Sequence, residues 1–425
     1  MNVRFLGKIK ADLDAQYTNV GGFSMGRSFD KSLAWQKRAK AALVGGGQPH
    51  KQSSPPRPVM IAGAKGAHFW DADGNDYIDY LMGFGPMILG HAYPTVIDTV
   101  TKYLVERGNV YNFGHTLEVE LAEKLVQIIP SADRVAYFVG GSDATTGAIK
   151  FARAYTGREK VIRSGYHGWH DWCSHARGHL SGAAAATLSV DFNDLEGLAD
   201  LFKAHPDEIA CLIMEPSGQD LPKDGYLEEA KALVNANGAL MIFDEVKTGF
   251  RYSLGGAQEY FGVTPDMSVF GKALANGFAT AVVVGKKEIM DEVSDVWVAA
   301  TFHGEVSLVA AAIATIEELE AQDGVAFMWK QGQKLLDGYR EMTVRLGIEN
   351  ARIGGIGPMP YFGLSTNSDD ERQKRFHETF YEATLEGGLY LPEGHIWFMS
   401  MSHTDEDVAK TLSVSEDALK RAKAA

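Results

Sequence analysis

The chain has 425 residues, 45% hydrophobic and 23% charged, a balance that excludes disordered and fibrous classes and asks for one large domain with one or two smaller lobes. A formal net charge of −14 with no basic run excludes a nucleic-acid partner, because neutralising phosphates takes a basic surface. Two cysteines make no disulfide framework, the apolar stretches are too short to span a bilayer, and the N-terminus MNVRFLGKIKADLDAQ lacks the features of a secretory signal, so a cytoplasmic protein without a membrane partner is expected.

Residues 28–43 have helical spacing with polar flanks and predict an N-terminal helix. Residues 45–58, GGGQPHKQSSPPRP, are rich in Gly, Pro and Ser and predict an irregular segment. In HFWDADGNDYIDYL, Asp73-Gly74 lies between two short apolar-aromatic runs, which is a hairpin signal. From about residue 115, short apolar runs (Val135–Val139, Val161–Arg163, Cys211–Met214, Leu240–Phe243, Met267–Phe270) alternate with helical patterns such as Ser142–Thr156 and Leu227–Ala236. That alternation predicts an α/β fold with a mostly parallel sheet covered on both faces. A long helical stretch begins near residue 306 and a polar helical tail ends the chain. The expected domains are a large one over 70–305 and a small α+β one assembled from residues 1–69 and 306–425.

Open parallel sheets collect ligands at the carboxyl ends of their strands. After Val135–Val139 come Gly140, Gly141 and Ser142 at a helix start, with Ser142 as the expected N-cap and the free N–H groups as an anion site suited to phosphate. Tyr166, after Val161–Arg163, offers a ring to a flat ligand. Asp244 and Glu245 end an apolar strand, where a desolvated carboxylate needs a cation, such as a protonated pyridine nitrogen. Val246 is expected to face the same way as Asp244 if the chain stays extended. Lys272 follows Met267–Phe270, where desolvation lowers an amine's pKa and makes it a Schiff-base nucleophile. Each feature alone has a commoner reading, as helix cap, surface aromatic, salt bridge or solvated lysine; the four strand ends together do not.

The segments GAHFWDADGNDYIDYL, GPMILGH, GSDATTGAIKFARAYTGREK, YHG, MEP, FDEVKTGFR, PD…GKALANGF and SHTDEDVAKTL resemble the class III aminotransferases of fold type I over residues 58 to 420, and most of all their glutamate-1-semialdehyde 2,1-aminomutase branch. The resemblance implies pyridoxal 5'-phosphate as cofactor, bound as a Schiff base on Lys272, with Asp244 on its pyridine nitrogen and Gly141 and Ser142 on its phosphate. It puts Tyr166 and Val246 on the two ring faces and Glu215 at the site wall. Thr301 matches a residue that reaches the neighbouring subunit's cofactor phosphate, implying a homodimer with shared sites.

Departures from the aminomutase pattern argue against a strict mutase. Gly304-Glu305-Val306 stands where Gly-Asn-Pro is usual, Phe84 replaces a Trp, and the Pro-Val-Arg segment is absent from 45–58. Gln219-Asp220 replaces a Gly-Asn, leaving Gln219 as the substitute contact to the cofactor's phenolic oxygen. The cluster His167, His170, Cys173, His175 and His179 matches no closed zinc pattern and reads as loop, so no metal is expected. Arg251 reads as a buried structural ion-pair partner before a carboxylate clamp, and His395–Phe398 as either core or substrate entrance. The function expected is ping-pong amino transfer between an amine donor and an oxo acceptor, with Lys272 as general base and acid. The rivals are an aminomutase, racemase or decarboxylase on the same cofactor, a non-catalytic relative, and a metal hydrolase.

Overall fold

A computed structural model describes residues 27–47, 56–109, 113–174, 177–365 and 370–425. Residues 48–55 of the Gly/Pro/Ser segment, and His175, lie outside the described residues. The N-terminal helix runs Asp30–Ala42.

Strands β1 (Ile61–Lys65), β2 (His68–Asp71) and β3 (Asp76–Asp79) form an antiparallel meander, with His68 opposite Ile78 and Trp70 opposite Asp76. The hairpin falls where Asp73-Gly74 placed it. The Asp71 carboxylate closes the turn by accepting from the backbone N–H groups of Asp73 and Asn75 and from the Tyr77 hydroxyl.

The main sheet has seven strands: β4 (Arg134–Phe138), β5 (Lys160–Ser164), β6 (Thr187–Ser189), β7 (Ile209–Met214), β8 (Leu240–Asp244), β9 (Met267–Phe270) and β10 (Ala281–Gly285). Their order is β4-β10-β9-β8-β7-β5-β6. Strand β10 is antiparallel to both β4 and β9, and the other pairings are parallel, so every strand except β10 points the same way. The central strands are buried on both faces, which is why they read as continuous apolar runs. Alternate residues still part to opposite sides. Cys211, Ile213 and Ile242 pack with Ala148 and Phe151 of the helix Gly141–Thr156, whereas Leu212, Met214, Met241 and Phe243 pack with Leu198 and Leu227 of the opposing helices. Strands β6 and β10 were missed in the sequence.

Strands β11 (Ala351–Ile356) and β12 (Met359–Leu364) make a separate antiparallel pair, and β13 (Leu389–Tyr390) joins β3 in parallel. The meander and the C-terminal part thus share one sheet, ordered β1-β2-β3-β13. Here His68 lies between two carboxylates, Nδ1 3.0 Å from Asp76 and Nε2 2.8 Å from Asp407. Hydrogen bonds to Asp407 and then Asp76 raise its pKa to about 9. A raised histidine pKa stabilises the fold fully below its unfolded value near 6.5 and loses that contribution as pH rises through about 9. With a third of the ring exposed, screening holds the effect to about 1 kcal/mol or less. The melting temperature of the native chain is expected to fall between pH 7 and 9.5 more than that of His68→Gln; parallel curves refute the staple.

Candidate active site

The carboxyl ends of β4, β5, β7, β8 and β9 lie on one edge of the sheet and gather most of the residues singled out in the sequence. After β9, Gly271 is extended and Lys272 takes φ 45°, a left-handed conformation costing a non-glycine residue about 1–3 kcal/mol. Asn276 pins the turn behind it, accepting from Leu89 N at 2.9 Å and donating to Gly90 O at 3.0 Å. The Glu245 N–H donates to Val269 O at 2.9 Å and binds the end of β8 to that of β9. Burial, then the neighbouring Lys247 ammonium, lower the Lys272 pKa to about 8; Glu215 and Asp244 oppose that shift.

Asp244 is buried, and its carboxylate lies 2.8 Å from His167 Nδ1 while accepting from Val246 N at 3.1 Å. The other ring nitrogen of His167, Nε2, lies 3.1 Å from the Ser164 carbonyl. His167 thus orders the carboxylate from the loop after β5. Its histidine-rich surroundings had marked it as loop, and the signal that could have found it is its place three residues past Ser164, the end of β5.

The helix Gly141–Thr156 begins at the same edge. The sequence put its N-cap at Ser142. The cap is Gly140 instead, in extended conformation (φ −133°, ψ 160°), with Ser142 inside the first turn, where its carbonyl accepts from the Thr145 and Thr146 hydroxyls. With no side chain capping the helix, its first N–H groups are open to an anion. Two glycines let the walls close here. A Cβ on Gly141 would stand 3.0 Å from Val246 Cγ1, and one on Gly168, at φ 114°, would stand 2.4 Å from Ser142 Oγ.

Val246 does not continue β8: the chain turns after Glu245, because the Val246 N–H returns to the Asp244 side chain. Its side chain reaches the wall at Gly141 by that turn, not by extended alternation. Tyr166 is 69% exposed on the loop after β5, free to cover a ligand, with Asp244 and Glu215 near enough to add to the burial that raises its pKa. Glu215, just past β7, pairs with Lys247, a residue that had drawn no attention in the sequence.

Thr301 stands exposed on the loop between Glu292 and Val306, with exposed Trp297 (80%) and Phe302 (57%), and His303 of that loop packs 5.0 Å from the Phe138 ring at the end of β4. Gln219 Nε2 lies 3.4 Å from Gly394 O, and Asp220 pairs with Arg352 at 3.0 Å. Glu305 has a local purpose, capping the helix Val306–Ala321 by accepting from Leu308 N. His170 sits on the Thr146 hydroxyl at 2.7 Å, and among the described residues no three His, Cys, Asp or Glu side chains converge as metal ligands.

Arg251 is buried, and among the described residues it has no acid partner. Its guanidinium donates to Met399 O at 2.8 Å and Gly85 O at 2.5 Å and lies 4.9 Å from the centre of the Phe398 ring. It thus ties the Phe84 loop to residues 395–399. There Ile396, Trp397 and Phe398 are core, while His395 meets Phe84 edge-on at 5.3 Å and feels the charges of Lys272 and Lys247. Arg251→Met leaves two buried carbonyls unpaired and is expected to destabilise the chain by about 3 kcal/mol, read as a lower denaturant midpoint. An unchanged midpoint sinks this assignment.

Residues 50–419 match the family model described as aminotransferase class III. The chain is 35% identical to a 3-aminobutyryl-CoA aminotransferase of Cloacimonas acidaminovorans, over 92% of this chain and 97% of the relative. It is 36% identical to a glutamate-1-semialdehyde 2,1-aminomutase of Methanocaldococcus jannaschii, over 92% and 99%. Among solved structures it resembles the pyridoxal-phosphate internal aldimine form of Sphingopyxis FumI, with a TM-score of 0.86, 29% identity and coverage of 92% and 96%. It also resembles an omega-transaminase from Sphaerobacter thermophilus, with a TM-score of 0.85, 25% identity and coverage of 94% and 100%.

Proposed function

Since the chain belongs to the class III aminotransferase family and is a pyridoxal-phosphate-dependent enzyme of fold type I, we propose that Lys272 is its reactive amine and Asp244 the carboxylate that governs its cofactor's ring. The observation that carries this reading is the pairing, on one sheet edge, of a desolvated lysine with a buried carboxylate ordered by His167. The residues fit the cofactor chemically: an amine for its aldehyde, an acid for its ring nitrogen, and an uncapped helix start for its phosphate.

When bound, the cofactor supplies a carbonyl carbon that accepts nitrogen and a ring that takes up electron density. The chain's own groups do the rest. The N–H groups at Gly141 and Ser142 bind the phosphate, and Tyr166 and Val246 flank the ring. Asp244 holds a proton at the ring nitrogen. Lys272 Nζ, once free, takes the proton from the donor's reacting carbon and returns it, as a general base then acid must. The part carrying the seven-stranded sheet, β4 to β10, is the cofactor-binding domain, and the part joined by the sheet β1-β2-β3-β13 is the smaller one. Two free, buried cysteines suit a reducing cytoplasm.

A homodimer gives Thr301 its use. Trp297 and Phe302 are large apolar side chains to leave in water, and covering them with a second copy would carry Thr301 toward that copy's helix start. The donor is an amine without a carboxylate on its reacting carbon, because Arg251, the guanidinium whose charge reaches Lys272, is consumed by two backbone carbonyls. The relatives named as glutamate-1-semialdehyde aminomutases, similar at 33–36%, favour internal transfer within one molecule as a second reading. An absorption spectrum with pyridoxal phosphate, followed by a panel of amines without acceptor, separates the two. One amine abolishing the visible band identifies a donor; a band that no amine alters favours the mutase.

A further inference from the structure

Trp172, on the loop after β5, is only 5% exposed. Its indole lies nearly parallel to the His167 imidazole, with 10° between the planes and 6.2 Å between the ring centres, an offset stack. Its one polar atom, Nε1, donates to the Thr146 hydroxyl at 2.8 Å. Thr146 sits in the second turn of the helix Gly141–Thr156, and a threonine hydroxyl has one proton to give and two places to accept. Three partners match them: Ser142 O at 2.8 Å, Trp172 Nε1, and His170 Nδ1 at 2.7 Å. Thr145 adds a second tie to the same loop, donating to His167 O at 2.8 Å.

A continuous path thus runs from the start of that helix to the sheet edge: Thr146 hydroxyl, Trp172 indole, His167 imidazole, Asp244 carboxylate. His167 is held at its two nitrogens, by Asp244 and by Ser164 O, and a ring held only there can tilt about the line joining them. A flat wall against one face stops the tilt. We propose that Trp172, oriented by Thr146, is a positioning residue for amino transfer: its indole fixes the plane of His167 and, through it, the direction in which Asp244 presents its carboxylate. The tie to Thr146 sets the indole, because a buried N–H left without a partner is costly and the ring turns to find another. The inference rests on the reading of Asp244 as the carboxylate at the cofactor's ring nitrogen.

The test loads the full-length protein with pyridoxal phosphate isotopically labelled at its ring nitrogen, whose NMR resonance reports whether that atom is protonated. The native chain should show the protonated position. Thr146→Val keeps the shape of the side chain and removes the hydroxyl. It should move the resonance toward the unprotonated position and lower kcat by roughly tenfold to a hundredfold, with donor KM and covalent uptake of cofactor unchanged. Thr146→Ser, which keeps the hydroxyl, should give native values for both. In an Asp244→Asn background the Val substitution should lower kcat no further, since its route runs through the missing carboxylate. In the cofactor-free protein the Trp172 indole N–H, assigned by its loss in Trp172→Phe, should exchange with solvent slowly in the native and Ser chains and faster in the Val chain. A merely structural role would lower the melting temperature and leave the resonance and the kcat of the folded molecules in place. A Val variant with the native resonance, a Ser variant no better than Val, or an equal further fall in the Asp244→Asn background overturns the proposal. If Thr146→Val does not fold, Trp172→Phe decides it by the same resonance, because it keeps an aromatic ring beside His167 without the tie to Thr146. Failure of the underlying reading looks different: Asp244→Asn alone would leave the ring-nitrogen resonance native.

Discussion

Lys272→Ala should abolish covalent uptake of pyridoxal phosphate and reduce amino transfer by about four orders of magnitude. Two losses combine. Without the amine the cofactor is held only by its phosphate, ring faces and ring nitrogen, and no group remains to carry the proton to and from the donor's reacting carbon. General acid–base groups alone are worth about 10²–10⁴-fold. The fold should survive, because among the described residues Lys272 makes no ion pair and alanine, which keeps a Cβ, leaves the backbone conformation at φ 45° as it was. The measurement pairs the visible spectrum after mixing with cofactor against initial rates with a donor found in the amine panel. A variant that keeps either the band or more than about a hundredth of the rate removes Lys272 from the centre of the mechanism. Added methylamine should restore part of the rate, since a small free base fits the space the side chain leaves.

Asp244→Asn separates attachment from chemistry. Lys272 is intact, so covalent uptake should persist, while amino transfer should fall roughly a thousandfold because an amide cannot hold a proton at the ring nitrogen against the electron demand of the reaction. If Asp244→Asn keeps native turnover, the carboxylate is a structural partner of His167 and nothing more.

The sheet edge was legible in the sequence because parallel strands buried on both faces leave unbroken apolar runs, and the residues after each run fall at one edge whatever the strand order. That is why Lys272, Asp244, Glu215, Tyr166 and the Gly141–Ser142 turn could be named in advance. Strand β10 escaped because its orientation and its insertion between β4 and β9 leave no local mark; AVVVG reads the same forward or reversed in the sheet. Ser142 was taken for the cap because serine is a good one, but the backbone before it already had the extended dihedrals that define the position. His167 and Lys247 were hidden for a different reason. What they do depends on partners 77 and 32 residues away, Asp244 and Glu215, and no local pattern encodes such a meeting.

The sharing of one sheet by β3 and β13 bears on how the chain matures during synthesis. The seven-stranded sheet has all its strands once Gly285 has left the ribosome, and its parallel crossovers close within that span. The meander made some two hundred residues earlier has no partner for its free edge until Leu389 emerges, and His68 waits 339 residues for Asp407. During that interval β3 presents unpaired backbone groups beside apolar Tyr77 and Ile78, a combination that invites pairing with another nascent chain. The segment from Leu389 to Asp407 therefore closes the meander's free edge. A chain released before it would carry an assembled cofactor edge and a sticky strand, and would be expected to partition to aggregates or proteolysis rather than accumulate as a shorter enzyme.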